Sequence, residues 1–369
     1  MKVPLVDLVA QQREIADEIA PEIQRILKTG AFIGGAAVSE FERAYSEFVG
    51  VEHVIGVGNG TDALELALRA AGIDAGHEVI LPANTFIATA EAVSRIGAVP
   101  VLVDVEPDYL LIDPLLTEKA ITSRTKAIVP VHLFGQTAPM EKLVDLADAH
   151  DLVIVEDAAQ SQGATRDGKH AGSFGAAAGT SFYPGKNLGA AGDAGAVLTN
   201  DAELAGRVRT IAAHGSDRKY VHDVIGVNSR LDAIQAVVLS AKLRRLAKWN
   251  AMRRAAAARY SELLAGVPGV RLPVTDPPND DVWHLYVDQV EERDRVLTDL
   301  HSAGIGAGIH YPTPVHLTGA YRSLGNREGD FPVTEAAAGR ILPLPLYPHI
   351  SADQQSCVAE RLTAVTAGR

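Results

Sequence analysis

One lysine lies in a turn bounded by proline and glycine, Gly179-Thr180-Ser181-Phe182-Tyr183-Pro184-Gly185-Lys186-Asn187-Leu188-Gly189, and Gly192-Asp193-Ala194-Gly195 follows closely. Glycines let another group approach the backbone, and few charges flank Lys186. A partly desolvated lysine loses proton affinity and becomes a competent amine nucleophile; a solvated loop lysine is the other reading of the same turn. Earlier, Val153-Ile154-Val155-Glu156-Asp157-Ala158-Ala159-Gln160 sets Asp157 at the end of an apolar run. The carboxyl end of a buried parallel strand is where open α/β sheets bind ligands, and a carboxylate buried there needs a partner. A helix N-cap ahead of Ala158 is the alternative. A third piece, Gly56-Val57-Gly58-Asn59-Gly60-Thr61-Asp62-Ala63-Leu64, reads as strand, glycine turn and helix start. The first amides of such a helix are unpaired donors suited to a phosphate. Thr61 adds a hydroxyl, and Asp62 offers its backbone N–H, because its own charge opposes a phosphate. Simple capping by Asn59 or Thr61 is the competing reading.

These pieces need elements to hold them. Short apolar runs at 53–57, 78–81, 99–103, 127–131 and 152–155 read as strands, and 61–71 and 86–96 as helices between them. Strands of this kind divided by helices imply an α/β fold with a mostly parallel central sheet covered on both faces. Residues 231–264, rich in Ala, Leu and Arg and free of Pro and Gly, read as one or two long helices. Beyond Pro268 the expected elements are a strand at 283–290, a helix at 293–302, a strand at 305–310 and a helix at 352–367. Pro343, Pro345 and Pro348 make the late loop too stiff for regular helix. The expected division is a large domain of residues 1–250, including the N-terminal segment, and a smaller C-terminal α/β domain of residues 251–369.

With 369 residues, 47% of them hydrophobic and 22% charged, the chain can bury a core. Its 34 Lys+Arg against 46 Asp+Glu, a net charge of −12, disfavour general nucleic-acid binding but not a phosphorylated small ligand. Cys357 is the single cysteine, so no internal disulfide forms and a reducing cytoplasm is expected. No signal-like or membrane-length apolar run is visible, and the scattered histidines lack metal-ligand spacing; neither membrane nor metal is expected. His53, His132 and Trp283 read as structural.

Taken in order, Gly58-Asn59-Gly60-Thr61-Asp62-Ala63-Leu64, Pro82-Ala83-Asn84-Thr85-Phe86-Ile87-Ala88-Thr89, Glu156 to Gln160 and Ser181 to Asn187 resemble the DegT/StrS-type (DegT/DnrJ/EryC) sugar aminotransferases. The resemblance continues through Asn228-Ser229-Arg230-Leu231-Asp232-Ala233-Ile234-Gln235-Ala236 and His310-Tyr311-Pro312-Thr313-Pro314-Val315-His316-Leu317, nearly the whole chain. It implies fold type I of the pyridoxal 5'-phosphate enzymes, with pyridoxamine 5'-phosphate as the alternate cofactor form. Lys186 then resembles the cofactor-bearing lysine, where dehydratases of the family carry histidine. Asp157 resembles the partner of the pyridine nitrogen, and Gln160 the contact to the phenolic oxygen. Phe86 resembles the ring-stacking residue, with a core aromatic as its ordinary reading, and Gly60, Thr61, Asp62 and Ser181 the phosphate holders. Asn228 is similar to an asparagine that a neighbouring subunit contributes, which implies a homodimer with shared sites.

By the same resemblance, Tyr183, Tyr220, His310 and Tyr311 line a nucleotide-sugar cleft, a polar strand-end turn being the other reading of His310 and Tyr311. Arg230 is a candidate for the carboxylate of the donor, L-glutamate, or equally an interface ion-pair residue. The loop 214–220 reads as solvated, a contact of Lys219 with a diphosphate being the other reading. The stretches 182–189 and 310–317 are most similar to members acting on dTDP-3-keto-6-deoxyhexoses. Amination at C4 of a 4-keto sugar or of an aminocyclitol ketone is the runner-up, and a pyridoxal-phosphate-binding regulator without turnover is the rival from another class.

Overall fold

The computed structural model describes residues 1–218 and 220–367. Seven strands form the central sheet: β1 (His53–Val57), β2 (Glu78–Pro82), β3 (Val99–Val103), β4 (Thr125–Ile128), β5 (Val153–Asp157), β6 (Ala177–Ser181) and β7 (Gly195–Thr199). Their spatial order is β1-β7-β6-β5-β4-β2-β3. Every pairing from β3 to β6 is parallel, while β7 runs antiparallel to both β6 and β1. The carboxyl ends of β1, β2, β5 and β6 therefore share one edge, where ligands of open α/β sheets collect.

β6 and β7 were not anticipated as strands. Their sequences, Ala-Ala-Gly-Thr-Ser and Gly-Ala-Val-Leu-Thr, carry small residues where the helix Gly60–Ala70 packs onto them. A Cβ on Gly179 would stand 2.8 Å from the Leu64 nitrogen. Two N-terminal helices, Leu8–Thr29 and Ala36–Val49, were likewise not anticipated.

The long apolar stretch forms one helix, Ala233–Leu263. Its first half, with Ala236, Leu239, Leu243 and Leu246, packs with Phe41, Tyr45, Phe182 and Leu188. Its second half, with Ala256, Ala257 and Tyr260, packs in a later cluster with Leu300, Leu344 and Leu362. Residue 250 thus falls inside a continuous helix that serves both clusters. The later cluster also contains Val3, so the first residues of the chain pack with its C-terminal part.

A small antiparallel sheet of Val270–Arg271, Tyr286–Val290 and Ile341–Leu344 carries this part, with Pro343 opposite Val287. The strand expected at 305–310 is not formed. Ile305 makes one parallel bridge to Val3, and Gly306 N–H donates to the Val3 carbonyl at 2.7 Å. The partner available there is a terminal segment that then leaves for its own helix, which limits pairing to a bridge. Among the described residues no helix is long and apolar enough to cross a membrane.

Candidate active site

The turn that carries the lysine closes through Lys186 N–H donating to the Tyr183 carbonyl at 2.8 Å. Gly189 has no alternative, since a Cβ there would run into the Pro184 carbonyl. Lys186 comes to rest half-buried in a cleft of about 740 Å³ that Asp157 also lines. The solvated-loop reading of the lysine is not realised. Burial pushes its amine down to about 8, against the opposing pull of the Asp157 charge.

Asp157 ends β5 and is buried, so its carboxyl is held above the usual range by desolvation. The Thr89 hydroxyl foremost, then the Ala159 N–H and the Lys186 charge, oppose that rise. Thr89 donates to Oδ2 at 2.7 Å and Ala159 N–H to Oδ1 at 3.1 Å. A turn follows Asp157 rather than a helix, so the helix-cap reading falls. Its neighbour Glu156 points elsewhere and accepts from His132 and the backbone of Gly172, Phe174 and Gly175. His132 is structural, as expected.

The helix Gly60–Ala70 begins at the same edge, and its start touches the end of β6. A Cβ on Gly60 would stand 2.6 Å from Ser181 Cβ. That cradle leaves the first helical amides, the Thr61 hydroxyl and Ser181 facing a common space, all lining the cleft. Asn59 caps the helix by accepting from Asp62 N–H at 2.8 Å. The expectation that this amide serves a phosphate is thereby corrected: the cap occupies it. Asp62 enters the site through its carboxylate, which meets Arg95 at 3.2 Å and the Ser229 hydroxyl at 2.7 Å.

Gln160 is held at both ends, its Oε1 accepting from Phe134 N–H at 2.7 Å and its Nε2 donating to the Tyr311 hydroxyl at 3.1 Å. Phe86 is half exposed and its ring lies 5.1 Å from that of Tyr311. Tyr183, His310 and Tyr311 line the cleft. Burial lowers His310 and raises Tyr311, with Lys186 and Asp157 as the respective nearby charges. Asn228, Arg230 and Tyr220 are exposed and do not line it, with Tyr220 at 82% exposure. Lys219 lies outside the described residues.

Four further cleft residues escaped the sequence reading. Thr85 and Thr89 straddle a helix start at a spacing that puts them on one face, which was a usable signal. Arg95 ends the same helix, Ile87–Arg95. His284 is joined to the lysine turn by a hydrogen bond to Asn187, 97 positions away in sequence. No local pattern announces it.

A lysine of lowered proton affinity, a buried carboxylate and a helix-start phosphate cradle in one cleft can anchor a phosphorylated carbonyl compound and move protons on it. The sequence profile of the DegT/DnrJ/EryC1/StrS aminotransferase family matches residues 13–363. The "Erythromycin biosynthesis sensory transduction protein EryC1" of Saccharopolyspora erythraea is 48% identical over 364 residues, covering 99% of this chain and all of that one (100%). The dTDP-3-amino-3,4,6-trideoxy-alpha-D-glucose transaminase of Streptomyces venezuelae is 47% identical over 353 residues, 96% of this chain and 93% of the relative. The crystal structure of S. venezuelae DesV in complex with a ketimine intermediate superposes with a TM-score of 0.97 at 46% identity, over 100% of this chain and 99% of that one.

Proposed function

Because the chain belongs to the DegT/DnrJ/EryC1/StrS aminotransferase family and is a pyridoxal-phosphate-dependent aminotransferase, we propose that it transfers an amino group from L-glutamate to C3 of a dTDP-linked 3-keto-6-deoxyhexose. The observation that carries this reading is the meeting of Lys186, Asp157 and the Gly60–Ser181 cradle in one cleft. A relative whose name bears on the substrate, the S. venezuelae dTDP-3-amino-3,4,6-trideoxy-alpha-D-glucose transaminase, aligns over 96% of this chain.

The residues fit pyridoxal phosphate: the cradle that a Cβ on Gly60 would fill suits a phosphate, and the buried Asp157 suits a protonated ring nitrogen. When bound, the cofactor supplies an electron sink for the carbon whose proton is moved. Lys186 would hold it covalently, and its free amine would take and return that proton; an amine poised at about 8 can do both near neutrality. Asp157 keeps the ring nitrogen protonated, held for this by Thr89 and Ala159. Gln160, its Oε1 already engaged, presents N–H to the phenolic oxygen. Phe86 covers the ring, and Gly60, Thr61 and Ser181 hold the phosphate, with Asp62 bracing the helix start through Arg95 and Ser229.

Tyr183, His310 and Tyr311 receive the sugar. Asn228, Tyr220 and Arg230 are exposed and outside the lining of the cleft of their own chain. That placement supports a homodimer in which they complete the neighbouring site, Arg230 gripping the donor carboxylate with its planar fork. The lone cysteine and the charged, anionic composition fit work in the cytoplasm.

The test is incubation of the purified protein with cofactor, L-glutamate and a panel of 3-keto and 4-keto nucleotide sugars, with NMR of the products. Amine at C3 of a dTDP-3-keto-6-deoxyhexose is expected. Amine at C4 of the preferred substrate overturns the regiochemistry, and no amine on any ketone overturns turnover itself.

A further inference from the structure

The helix Gly60–Ala70, whose first turn faces the cleft, also grips a second segment of the chain. Asp62 and Arg69 stand two turns apart on one face of it. Arg69 Nη2 donates to the Ile225 carbonyl at 2.5 Å, and Asp62 Oδ2 accepts from the Ser229 hydroxyl at 2.7 Å. The run 225–229 is therefore held at both ends by the helix that begins the phosphate cradle.

The bonds of Ser229 have one possible direction. Gly58 N–H can only donate, and it lies 2.9 Å from Ser229 Oγ, so the hydroxyl accepts there. Its single proton goes to Asp62. The other oxygen of Asp62 accepts from Arg95 at 3.2 Å, so the carboxylate is engaged on both sides. Glycine leaves the room for this: a Cβ on Gly58 would stand 3.2 Å from Ser229 Oγ and 3.6 Å from Asp62 Oδ2. Backbone bonds hold the same run, Val227 N–H donating to the Ile211 carbonyl at 2.8 Å and Ser229 N–H to the Ala212 carbonyl at 3.1 Å. Ser229 is buried, while Asn228 and Arg230 on either side of it are exposed. Whatever fixes Ser229 thus fixes where Asn228 and Arg230 stand.

We propose that Ser229 is a positioning residue for the neighbouring subunit's active site. It fastens Asn228 and Arg230, which complete that site, to the glycine turn and helix start of their own chain. Asp62 then serves two sites at once, bracing its own helix start and anchoring the arm lent to the other. The inference rests on the homodimer with shared sites, and its test uses neither sugar nor donor.

Hybrid dimers purified through two different affinity tags supply that test. In each, one chain carries Lys186→Ala, so only the other chain's site binds pyridoxal phosphate covalently, and an absorbance titration with pyridoxal phosphate reads that site. In the first hybrid, Ser229→Ala is placed in the Lys186→Ala chain, and the live site receives a loosened arm. Its affinity should fall about tenfold, the worth of one hydrogen bond to a charged group. In the second, Ser229→Ala is placed in the chain that keeps Lys186, and the live site receives an intact arm. Its affinity should fall far less, because Arg95 and Asn59 still hold the helix start of that chain. Ser229→Thr keeps the hydroxyl and should recover most of the affinity in the first hybrid.

An equal fall in both hybrids, a larger fall in the second, or no fall in either overturns the proposal. Asn228→Ala in the same two arrangements tests the shared site itself. A loss seen only when Asn228→Ala is in the chain that keeps Lys186 puts each site within one chain, and the shared-site reading falls with the proposal. A loss transmitted from the partner chain by Asn228→Ala but not by Ser229→Ala removes Ser229 alone.

Discussion

Replacing Thr89 by valine preserves shape and deletes one proton donor from the most consequential carboxylate in the cleft. Thr89 is buried, and its single hydroxyl proton goes to Asp157 Oδ2 at 2.7 Å. The Thr85 hydroxyl, 2.7 Å from that of Thr89, must then be the donor in their mutual bond. The substitution thus removes a hydrogen bond to a charged group, worth about 1.5–3 kcal/mol when buried, and strips Thr85 of its acceptor. At 1.36 kcal/mol per pKa unit this raises the Asp157 carboxyl by roughly 1–2 units, further in the direction in which burial already pushes it. The sign follows from which form loses more support: the carboxylate accepts from Thr89 more strongly than the neutral acid does, so the neutral acid gains. A less ionised Asp157 is a poorer partner for a protonated ring nitrogen, and cofactor affinity should fall by about 10- to 100-fold, the same energy read as binding. The assay is a fluorescence titration with pyridoxal phosphate, beside infrared detection of the Asp157 carboxyl against pH in cofactor-free protein. Thr89→Ser keeps the hydroxyl and should recover most of the affinity. Unchanged affinity and an unmoved carboxyl midpoint in a folded Thr89→Val protein would refute the reasoning.

Gly60→Ala puts a methyl 2.6 Å from Ser181 Cβ and 3.1 Å from its backbone Cα; cofactor affinity should drop at least ~10-fold by titration, with about 1–3 kcal/mol of stability lost to overpacking. Asp288 lies fully buried in the apolar cluster of the C-terminal part, with neither carboxyl oxygen hydrogen-bonded among the described residues, and burial holds it well above the usual carboxylate range. Its neutral form is the folded one, so it costs stability increasingly as pH rises above the ordinary carboxylate pKa. Asp288→Leu should stabilise the protein by roughly 1–3 kcal/mol or more near neutrality, with the gain shrinking below pH ~4, as thermal melts across pH would register. Co-refolding Lys186→Ala with an Asn228→Ala chain should restore activity above either parent, because one hybrid site recovers both native residues. Activity that stays at parental levels after proven subunit exchange would place each site within one chain.

The sequence by itself determined the parts of this protein that local chemistry can announce. The lysine turn, the strand-end Asp157 and the glycine turn before the helix Gly60–Ala70 are short segments whose residue types constrain their own backbone, and their order along the chain carried the family. The branched strands β1 to β5 were legible for the same reason, since period and composition are properties of a few consecutive residues. β6 and β7 were not, because their small residues answer to the helix packed on them and not to their own strand propensity. The Asp62 amide was misassigned because only the folded turn shows Asn59 reaching it. The strand expected at 305–310 failed for want of a long enough partner, and that partner comes from the opposite end of the chain. His284 was invisible until Asn187, Asn250 and the carbonyls of Gln162 and Val282 were seen around it. Those groups are far apart in sequence, so only tertiary structure could decide which nitrogen carries the proton: protonation of a buried ring is dictated by the donors and acceptors that folding brings to it, not by its neighbours along the chain.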